Sequence, residues 1–483
     1  MPSLTICRGL QRQTVEFASG AMLRDVLGAL APAHPCGGRG ICGKCAVQLT
    51  GDVSAPNAAE QSAGVRLSCQ AMLLGDAEVI LPVETAMAIE TGGVAEQAAI
   101  TGNPVGAAVD IGTTTLVLQL FDLHTGGRLA SCAMLNPQTS TAADVIGRID
   151  AAMKGKINAL QAQIITAVNT LLHRAAAQAE IPADTVECFV VTGNTTMLYL
   201  LTGRDPSALS HAPFEADCLF GETVSLLGKP AYLPPCLHAF VGADITCAAM
   251  TSGMCERDET ALLCDIGTNG EIALWKNGTL YVASTAAGPA FEGAGISCGC
   301  PSITGAIDRV MTDGYRLHVH TIGDAPPVGL CGSGLIDAIA SLLDMELIDE
   351  TGAMDDDAVL APGVTLTQSD IRAVQLSKAA IAAGISCLIE AAGCTESDIG
   401  TIYLAGGFGS KMNLRSAARI GLLPAQLIDR VQVLGNAAIT GASKLLDDGK
   451  RMKANAIAQV ARHVSLGGNP LFNERYMDCM MFE

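Results

Sequence analysis

Four cysteines near the start of the chain have the spacing of metal ligands. Cys36, Cys42 and Cys45 lie in the short stretch CGGRGICGKC, and Cys69 follows, which gives the pattern C-x5-C-x2-C-x23-C. Four thiolates are the ligand set of a 2Fe-2S cluster, and the glycines of the loop let the backbone wrap around the inorganic sulfides. A structural zinc site is the alternative, but such sites usually pair two C-x2-C knuckles. The spacing therefore favours a 2Fe-2S cluster.

A repeated Asp-Ile-Gly-Thr tetrad, beginning at Asp110 and again at Asp265, indicates a second kind of chemistry. In each copy an apolar stretch precedes the tetrad and two further β-type stretches follow it. Such a turn can place amides and hydroxyls against phosphate oxygens while its aspartate holds hydrated Mg²⁺. One copy alone is common turn chemistry, but two copies in equivalent settings predict two phosphate loops that face each other across a cleft. The predicted phosphate-binding residues are Gly112, Thr113, Thr114, Thr115, Gly267, Thr268, Asn269 and Gly270.

Other glycine-rich turns complete the predicted nucleotide site. The turn LAGGFG, with Gly406, Gly407 and Gly409, follows an apolar stretch and can lie against adenosine or its α-phosphate. Asn194 in VTGNTT and the asparagine of the segment LGNAA each directly follow a glycine. Asp244 in VGADIT has two interpretations, as a group that polarises water or binds Mg²⁺ and as an ordinary turn residue. No G-x4-G-K-[ST] sequence occurs, which argues against a Walker-type P-loop.

The elements that must position these residues divide the chain into three stretches. Residues 1–83 indicate a small β-rich unit with a hairpin and a short helix, and 84–104 indicate a linker. Residues 105–483 alternate β-rich and helical stretches, which is typical of an α/β fold.

Composition and charge exclude several function classes. The formal net charge of −19 argues against a nucleic-acid or anionic-membrane surface, because both need clustered Lys and Arg. No run reaches the roughly 18 apolar residues of a membrane span, and residues 379–392 indicate a buried helix by their length. The first residues lack the apolar region of a signal peptide, so we expect a cytoplasmic protein whose 18 cysteines are reduced or hold metal.

The two sets of motifs resemble two known folds. The cysteine motif resembles plant-type and adrenodoxin-like ferredoxins, a β-grasp fold, although the plant-type spacing begins C-x4-C. The order of phosphate loop, second phosphate loop and adenosine loop resembles the ASKHA superfamily of sugar kinases, actin and large heat-shock chaperones. The segments VTGNTT, with Asn194, and LGNAA fit the connecting elements of that superfamily. The resemblance implies an α/β protein with a β-grasp 2Fe-2S ferredoxin domain and a duplicated RNase H-like (actin-like) ATPase domain. Its half-domains would span about 105–255 and 256–483.

The combination resembles the reductive activators of corrinoid proteins. The shared motifs run through nearly all of residues 36–442, and they are CGGRGICGKC, VDIGTTT, VTGNTTM, LLCDIGTNGEI, GPAFEGAGISCG, GLCGSGLIDAI, LAGGFGSKMNLRSAARIGLLP and GNAAITGA. The resemblance implies that an electron from a low-potential cellular donor passes through the cluster to Co(II) of a corrinoid protein, giving Co(I), while ATP is consumed. Longer relatives carry an additional module before the ATPase domain, where this chain has about twenty residues.

The loop GPAFEGAGISCGC, residues 288–300, keeps two interpretations. As a contact to the corrinoid partner it would offer Ser297 as a weak oxygen ligand to cobalt, with Glu292 acting at the nucleotide. As a structural turn it would only line the ATPase cleft. Cys298 and Cys300 are expected to be buried thiols.

Three rival functions remain open from the sequence. An activator of 2-hydroxyacyl-CoA dehydratases would carry a 4Fe-4S cluster between two subunits, whereas this chain has a ferredoxin motif. A small-molecule kinase with an accessory cluster would phosphorylate an added acceptor, and an actin-like or chaperone-like scaffold would polymerise or bind unfolded chains. The oligomeric state is also open, with a homodimer among the options.

Overall fold

The computed structural model describes residues 2–8, 11–32, 38, 40, 45–57, 60–61, 65–81, 97–100, 102–142 and 144–482. The chain forms two compact units, a smaller one of Met1–Met87 with Pro137–Ala151 and a larger one of Ala88–Asn136 with Ala152–Glu483. Most of the predicted linker 84–104 lies outside the described residues, so its bounds stay a prediction.

The smaller unit is a mixed sheet with a short helix. Its strands are β1 Ser3–Arg8, β2 Gln11–Glu16, β3 Ala21–Met22, β4 Ala46–Val53, β5 Arg66–Leu67 and β6 Met72–Ile80, and its helices are α1 Leu23–Leu27 and α2 Val145–Ala151. The sheet order is β2-β1-β6-β4-β5, with β1 antiparallel to β2 and parallel to β6. Leu23 and Leu27 of α1 pack into a core with Leu4, Leu49 and Val79. A hairpin whose first strand runs parallel to the last strand, with a helix on the core, confirms the β-grasp prediction.

The larger unit contains two six-stranded sheets. The strands of the first are β7 Val105–Ile111, β8 Thr115–Asp122, β9 Arg128–Leu135, β10 Val186–Gly193, β11 Glu222–Leu226 and β12 Lys229–Leu233. Those of the second are β13 Thr260–Ile266, β14 Gly270–Lys276, β15 Thr279–Thr285, β21 Ile399–Ala405, β22 Val431–Gly435 and β23 Ala461–His463. Between β15 and β21 of the second sheet, the chain forms two small sheets, made of β16 Ala306–Thr312, β17 Leu317–Thr321 and β18 Gly329–Leu330, and of β19 Ala358–Ala361 and β20 Val364–Leu366.

The two large sheets repeat one topology. The orders β9-β8-β7-β10-β12 and β15-β14-β13-β21-β22 correspond strand for strand. In each, three antiparallel strands form a meander and two further strands add parallel to the first. This order confirms the duplicated RNase H-like fold, and each Asp-Ile-Gly-Thr tetrad lies at the first turn of its meander.

Helices cover the sheets of the larger unit. They are α3 Ile157–Gln178, α4 Thr195–Thr202, α5 Ala243–Ser252, α6 Gly332–Asp344, α7 Gln368–Ala391, α8 Leu414–Arg419, α9 Ala437–Lys444, α10 Arg451–Val460 and α11 Pro470–Asp478. Among the described residues, α7 is the one helix long and apolar enough to cross a membrane, but 72% of its most apolar window is buried inside the protein. It is a core helix, as its length predicted.

Helices α5 and α9 join the two halves of the larger unit. They follow the corresponding last parallel strands, β12 and β22, and they pack directly on each other. A Cβ atom at Gly441 of α9 would lie 2.2 Å from the carbonyl oxygen of Cys247 in α5, so only glycine permits this approach. Cys247 also shares a core with Ile439 and Ala442.

Candidate functional site

Two of the predicted cluster ligands meet in the smaller unit. Cys45 lies directly before β4 and Cys69 lies two residues after β5, and both side chains are buried. Their Sγ atoms are 3.2 Å apart without a disulfide bond. Burial raises the pKa of the Cys45 thiol to about 12, so without a metal this thiol is protonated. Cys36 and Cys42 lie outside the described residues, and their role stays a prediction.

The described part of the cysteine loop is shaped by glycine and by one glutamine. Gly38 and Gly40 have φ values of 81° and 74°, the left-handed region that favours glycine. The Gln70 amide donates to the carbonyl oxygen of Gly38 at 2.6 Å and to that of Cys69 at 3.1 Å. Gln70 was not predicted as a site residue, because its only signal in the sequence is its place next to a predicted ligand. Two converging thiols and a loop held open by glycines fit the requirements of a 2Fe-2S cluster.

In the larger unit, four carboxylates lie close enough to influence each other. Asp110 ends β7, Asp265 ends β13, and Asp244 lies in the first turn of α5. Glu271 of β14 is the direct cross-strand partner of Asp265. All four side chains are half-buried. The structure thus brings together the three aspartates that the sequence singled out and adds a glutamate.

Burial and mutual repulsion raise the pKa values of this carboxylate group. Burial, then Asp244 and Asp265, raise the pKa of Asp110 to about 8. Burial and Asp265 raise the pKa of Asp244 to about 7, and burial with Glu292 raises that of Asp265 to about 6. Burial and two of these aspartates also raise the pKa of Glu271 well above its usual value. Such a concentration of negative charge fits a bound cation.

The geometry suits a hydrated cation better than a directly caged one. In the parts of the chain that the structure describes, no three His, Cys, Asp or Glu side chains converge to hold a metal directly. Mg²⁺ usually keeps several waters and takes one or two carboxylates together with substrate phosphates. The carboxylate group therefore fits Mg²⁺ bound partly through water.

Glu271 and Asn436, which hydrogen bonds to a member of the carboxylate group, were not predicted as site residues, although the sequence carries a signal for each. Glu271 occupies the cross-strand position that Val117 has in the first repeat, and like charges placed directly opposite destabilise a sheet. Asn436, which hydrogen bonds to Asp110, ends a Val-x-Gly-Asn sequence that also ends at Asn194. Each of these asparagines caps a helix through its side-chain oxygen.

The two phosphate loops are tight turns closed by a glycine amide, and the first turn is one residue longer than the second. The amide of Gly112 donates to the carbonyl oxygen of Thr115 at 2.9 Å, and the amide of Gly267 donates to that of Asn269 at 3.0 Å. Gly270 then begins β14. A Cβ atom at Gly112 would lie 2.8 Å from the Thr115 carbonyl oxygen, which explains the glycine in the first loop.

Polar side chains connect these loops to their surroundings. The amide of Asn194 donates to Thr113 Oγ1 at 3.1 Å. Thr114 Oγ1 and Thr268 Oγ1 donate to the two carboxylate oxygens of Glu292, each at 2.7 Å. The structure therefore places the predicted nucleotide residue Glu292 between the two phosphate loops.

The predicted adenosine loop lies against the second phosphate loop. Gly406 has a φ of 87°, and a Cβ atom there would lie 2.5 Å from Asp265 Oδ1. Gly407 is exposed, and a Cβ atom there would meet nothing within 4 Å, so this position leaves open space for a ligand. Gly409 packs on the side chain of Leu404, where a Cβ atom would approach to 2.8 Å.

Ser297 lies at the surface, apart from the carboxylate group in its described contacts. Its backbone amide and its hydroxyl donate to Asp370 Oδ1 at 2.7 Å and 3.1 Å. Asp370 is buried in the first turn of α7, where its other oxygen completes a capping box with Thr367. Cys298 and Cys300 are half-buried, so the expectation of buried thiols was wrong, because this end of the loop alternates between buried and partly exposed positions.

The raised carboxyl pKa values predict how stability depends on pH. These groups ionise near pH 4 in the unfolded chain, so between pH 4 and 8 the folded state binds more protons than the unfolded state. The free energy of unfolding of the metal-free larger unit should therefore fall as the pH rises from 6 to 8. Asp110→Asn should reduce this fall, and Mg²⁺ should oppose it by binding the ionised form. Thermal unfolding in EDTA and in Mg²⁺ measures both effects.

Asp313→Asn is the matched control for this prediction, because Asp313 is an exposed carboxyl whose pKa is lowered to about 2 by hydrogen bonds from Tyr315, His318 and Arg316. Its removal should leave the slope between pH 6 and 8 unchanged. An equally steep fall in Asp110→Asn would show that the carboxylate group is not the source.

Comparison with protein families gives matches along most of the chain. Residues 9–74 match the 2Fe-2S iron-sulfur cluster binding domain. Residues 105–257 match the RACo middle region, and residues 259–483 match the C-terminal domain of RACo, the ASKHA domain.

Individual relatives agree with these matches. The chain is 36% identical over 419 residues to a corrinoid activation enzyme, RamQ, of Eubacterium limosum, covering 78% of this chain and 70% of the relative. It is 26% identical over 418 residues to the [Co(II) methylated amine-specific corrinoid protein] reductase of Methanosarcina barkeri, covering 77% and 76%. The solved structure of a reductive activator for a corrinoid, iron-sulfur protein aligns over 100% of this chain and 98% of its own, with a TM-score of 0.73 and 24% identity, and so supports the fold.

Proposed function

Because this chain belongs to the family of corrinoid-activating enzymes with a RACo-type ASKHA domain, we propose that it reduces the cobalt of a corrinoid protein at the expense of ATP. One electron leaves a low-potential donor, passes through the smaller unit and converts Co(II) of the partner to Co(I). ATP and water give ADP and phosphate. The observation that carries the ATP half is the carboxylate group at the two phosphate loops, which the duplicated fold brings together.

The larger unit would bind ATP through its three loops. The amides and hydroxyls of the phosphate loops would hold phosphate oxygens, and Gly406, Gly407 and Gly409 would leave room for adenosine. Asp110 and Asp265 would hold the waters of Mg²⁺, while Asp244, at a helix start in the same group, would orient the attacking water. Mg²⁺, when bound, would neutralise charge on the phosphates.

The smaller unit would hold the electron in transit. The proposed ligands are Cys36, Cys42, Cys45 and Cys69. A 2Fe-2S cluster of the plant ferredoxin type supplies a one-electron couple at about −400 mV. Reduction of a Co(II) corrinoid with an axial ligand would be uphill from that potential, at about 2.3 kcal/mol for each 100 mV of difference. ATP hydrolysis would supply the free energy that resets the complex after transfer.

The cysteines and the net charge bear on the cellular location of the protein and on the surface charge of its partner. We propose a cytoplasmic location, because the cysteines within the described residues form no disulfide bonds and a reducing compartment keeps thiols in that state. The net charge of −19 favours a partner with a basic docking face. Association should weaken as salt rises, since screening shortens the Debye length to about 8 Å at physiological ionic strength.

The test is to follow ATP hydrolysis and the cobalt spectrum with a Co(II)-corrinoid methyltransferase partner and a strong reductant. ATP turnover should rise when the Co(II) partner is added, and the Co(I) absorption should appear only with ATP. The methylated partner is the control and should leave turnover unchanged, because a ligand shifts an equilibrium only through differential affinity. Flat turnover and no Co(I) would overturn the proposal, and phosphoryl transfer to a small acceptor would favour a kinase.

The same assay tests the proposed cobalt contact of Ser297. The Ser297 hydroxyl donates a hydrogen bond to Asp370, so a lone pair of its oxygen can face cobalt. Ser297→Ala should still bind the partner but lose the spectral change at cobalt, whereas the nearby exposed Ser302→Ala should keep it. An unchanged spectrum in Ser297→Ala would remove this contact and leave the activator function standing.

A further inference from the structure

The short turn at Phe291 and Glu292 contacts all three predicted nucleotide loops. Glu292 accepts hydrogen bonds from Thr114 of the first phosphate loop and Thr268 of the second, both at 2.7 Å. The ring of Phe291 stacks on Phe408 in the adenosine loop, with centroids 5.5 Å apart and planes 17° from parallel. Phe291 is buried, so this stacking belongs to the core of the larger unit.

We propose that Glu292 is a latch that the phosphates of ATP displace, and that its release shifts the loop 288–300 and so reports ATP occupancy at the surface around Ser297. The inference rests on the proposed ATP site and extends it, because it assigns the coupling between that site and the partner-facing loop to one carboxylate.

Glu292 and a bound phosphate would compete for the same two hydroxyl donors, those of Thr114 and Thr268. A threonine hydroxyl carries a single O–H donor. While Thr114 and Thr268 donate to Glu292, neither hydroxyl can donate to a phosphate oxygen. A phosphate that accepts these two hydrogen bonds also brings negative charge next to the Glu292 carboxylate, and the repulsion drives that side chain away.

The latched state is already opposed by a neighbouring charge. Glu292 is the group whose charge, after burial, raises the pKa of Asp265. The two hydrogen bonds therefore hold Glu292 against repulsion from the carboxylate group. Loss of both donors to phosphate leaves the repulsion unopposed, which makes release favourable.

The loop is built to transmit that release. Gly293 has a φ of 75°, and a Cβ atom there would lie 2.5 Å from the carbonyl oxygen of Cys300. A Cβ atom at Gly299 would lie 2.2 Å from the carbonyl oxygen of Gly293. Gly293 thus touches Gly299 and Cys300, and residues 293–300 form a compact body. Glu292 attaches one side of this body to the phosphate loops, and the hydrogen bonds from Ser297 attach the other side to Asp370.

Hydrogen–deuterium exchange of the full chain tests the transmission. Peptides covering 288–300 should exchange differently with Mg²⁺ and a non-hydrolysable ATP analogue than with Mg²⁺ and ADP or without nucleotide. Glu292→Ala should show one exchange rate in all three conditions. Glu292→Gln, which keeps the shape and one carbonyl acceptor but loses the charge, should show a smaller change. Glu390→Ala, an exposed substitution on α7, is the matched control and should behave as wild type.

Nucleotide affinity, measured on the same samples, distinguishes the possible failures. A latch competes with phosphate, so Glu292→Ala should bind the ATP analogue as tightly as wild type or up to about tenfold more tightly, the effect of about one hydrogen bond to a charged group. Weaker binding in Glu292→Ala would make Glu292 a nucleotide ligand and overturn the latch. Tight binding to wild type with no change in 288–300 would also overturn it. No binding to wild type would instead overturn the proposed ATP site.

Discussion

Asp265→Asn should lower ATP turnover by about 10²–10³-fold, the loss typical when one charge-stabilising group is removed from an active site. Asp265 lies at the first turn of the second meander, where it meets Asp244, Glu271 and Gly406. The substitution keeps the size of the side chain but removes the charge that would hold the waters of Mg²⁺. Steady-state release of phosphate at saturating Mg²⁺ and ATP measures the loss.

The same variant should unfold at a higher temperature than wild type in EDTA. Asp265 and Glu271 are directly opposite in an antiparallel strand pair, and such like charges destabilise the sheet until a cation is present. Lost activity together with gained stability would separate a role in catalysis from damage to the fold. Asp258→Asn, an exposed carboxylate shortly before β13, is the matched control and should change neither quantity. Near-normal turnover in Asp265→Asn would contradict the two-loop site.

Cys69→Ala should abolish the visible absorption of the cluster and reduce bound iron to nearly zero. Cys69 is buried and its sulfur lies 3.2 Å from that of Cys45, so its loss removes one of four ligands and leaves an incomplete shell. The larger unit has its own core and should keep its basal ATP hydrolysis. Co(I) formation should cease, since the electron path is broken. Iron and sulfide analysis, ATP turnover and the Co(I) absorption of the partner, followed on one preparation, measure these effects.

Cys7→Ala provides the control for the cluster prediction. Cys7 is a free, half-buried thiol of β1 in the same unit, and it lies outside the predicted ligand set. This variant should retain two irons and two sulfides. A full complement of iron in Cys69→Ala, or zinc in place of iron in the wild type, would contradict the assignment.

The repeated tetrad shows why much of the fold was predictable. Each copy of Asp-Ile-Gly-Thr is a local pattern of strand, tight turn and strand, and the structure forms a meander at both. Duplication then predicts that the two turns face each other, because each half repeats the same topology. Asp110 and Asp265 could therefore be predicted together, whereas Asp244 lies outside the repeat and kept two interpretations.

The remaining contacts depend on distances that no local pattern encodes. Ser297 meets Asp370 across 73 positions of sequence, and Thr114 meets Glu292 across 178. Both pairs are set by how the loop 288–300 packs, and a glycine-rich loop has no periodicity from which to predict its packing. Asn436 was not predicted as a site residue because asparagine is a common helix cap. Its sequence signal therefore does not distinguish a cap from a residue that also hydrogen bonds to Asp110.

The glycine contact between α5 and α9 has a consequence for how the larger unit opens. Asp244 lies at the start of α5 and Asn436 caps α9, and the helices cross where Gly441 meets Cys247. We expect a contact this close to act as a pivot, because sliding the helices would force backbone atoms together whereas rotation about the contact would not. Across the pivot, Asp110 is attracted to Asn436 while Asp244 is repelled by Asp265. The hydrogen bond from Asn436 to Asp110 and those from Thr114 and Thr268 to Glu292 oppose opening of the halves, whereas repulsion among the aspartates favours it. A cation bound between the aspartates would remove that repulsion and so favour closure.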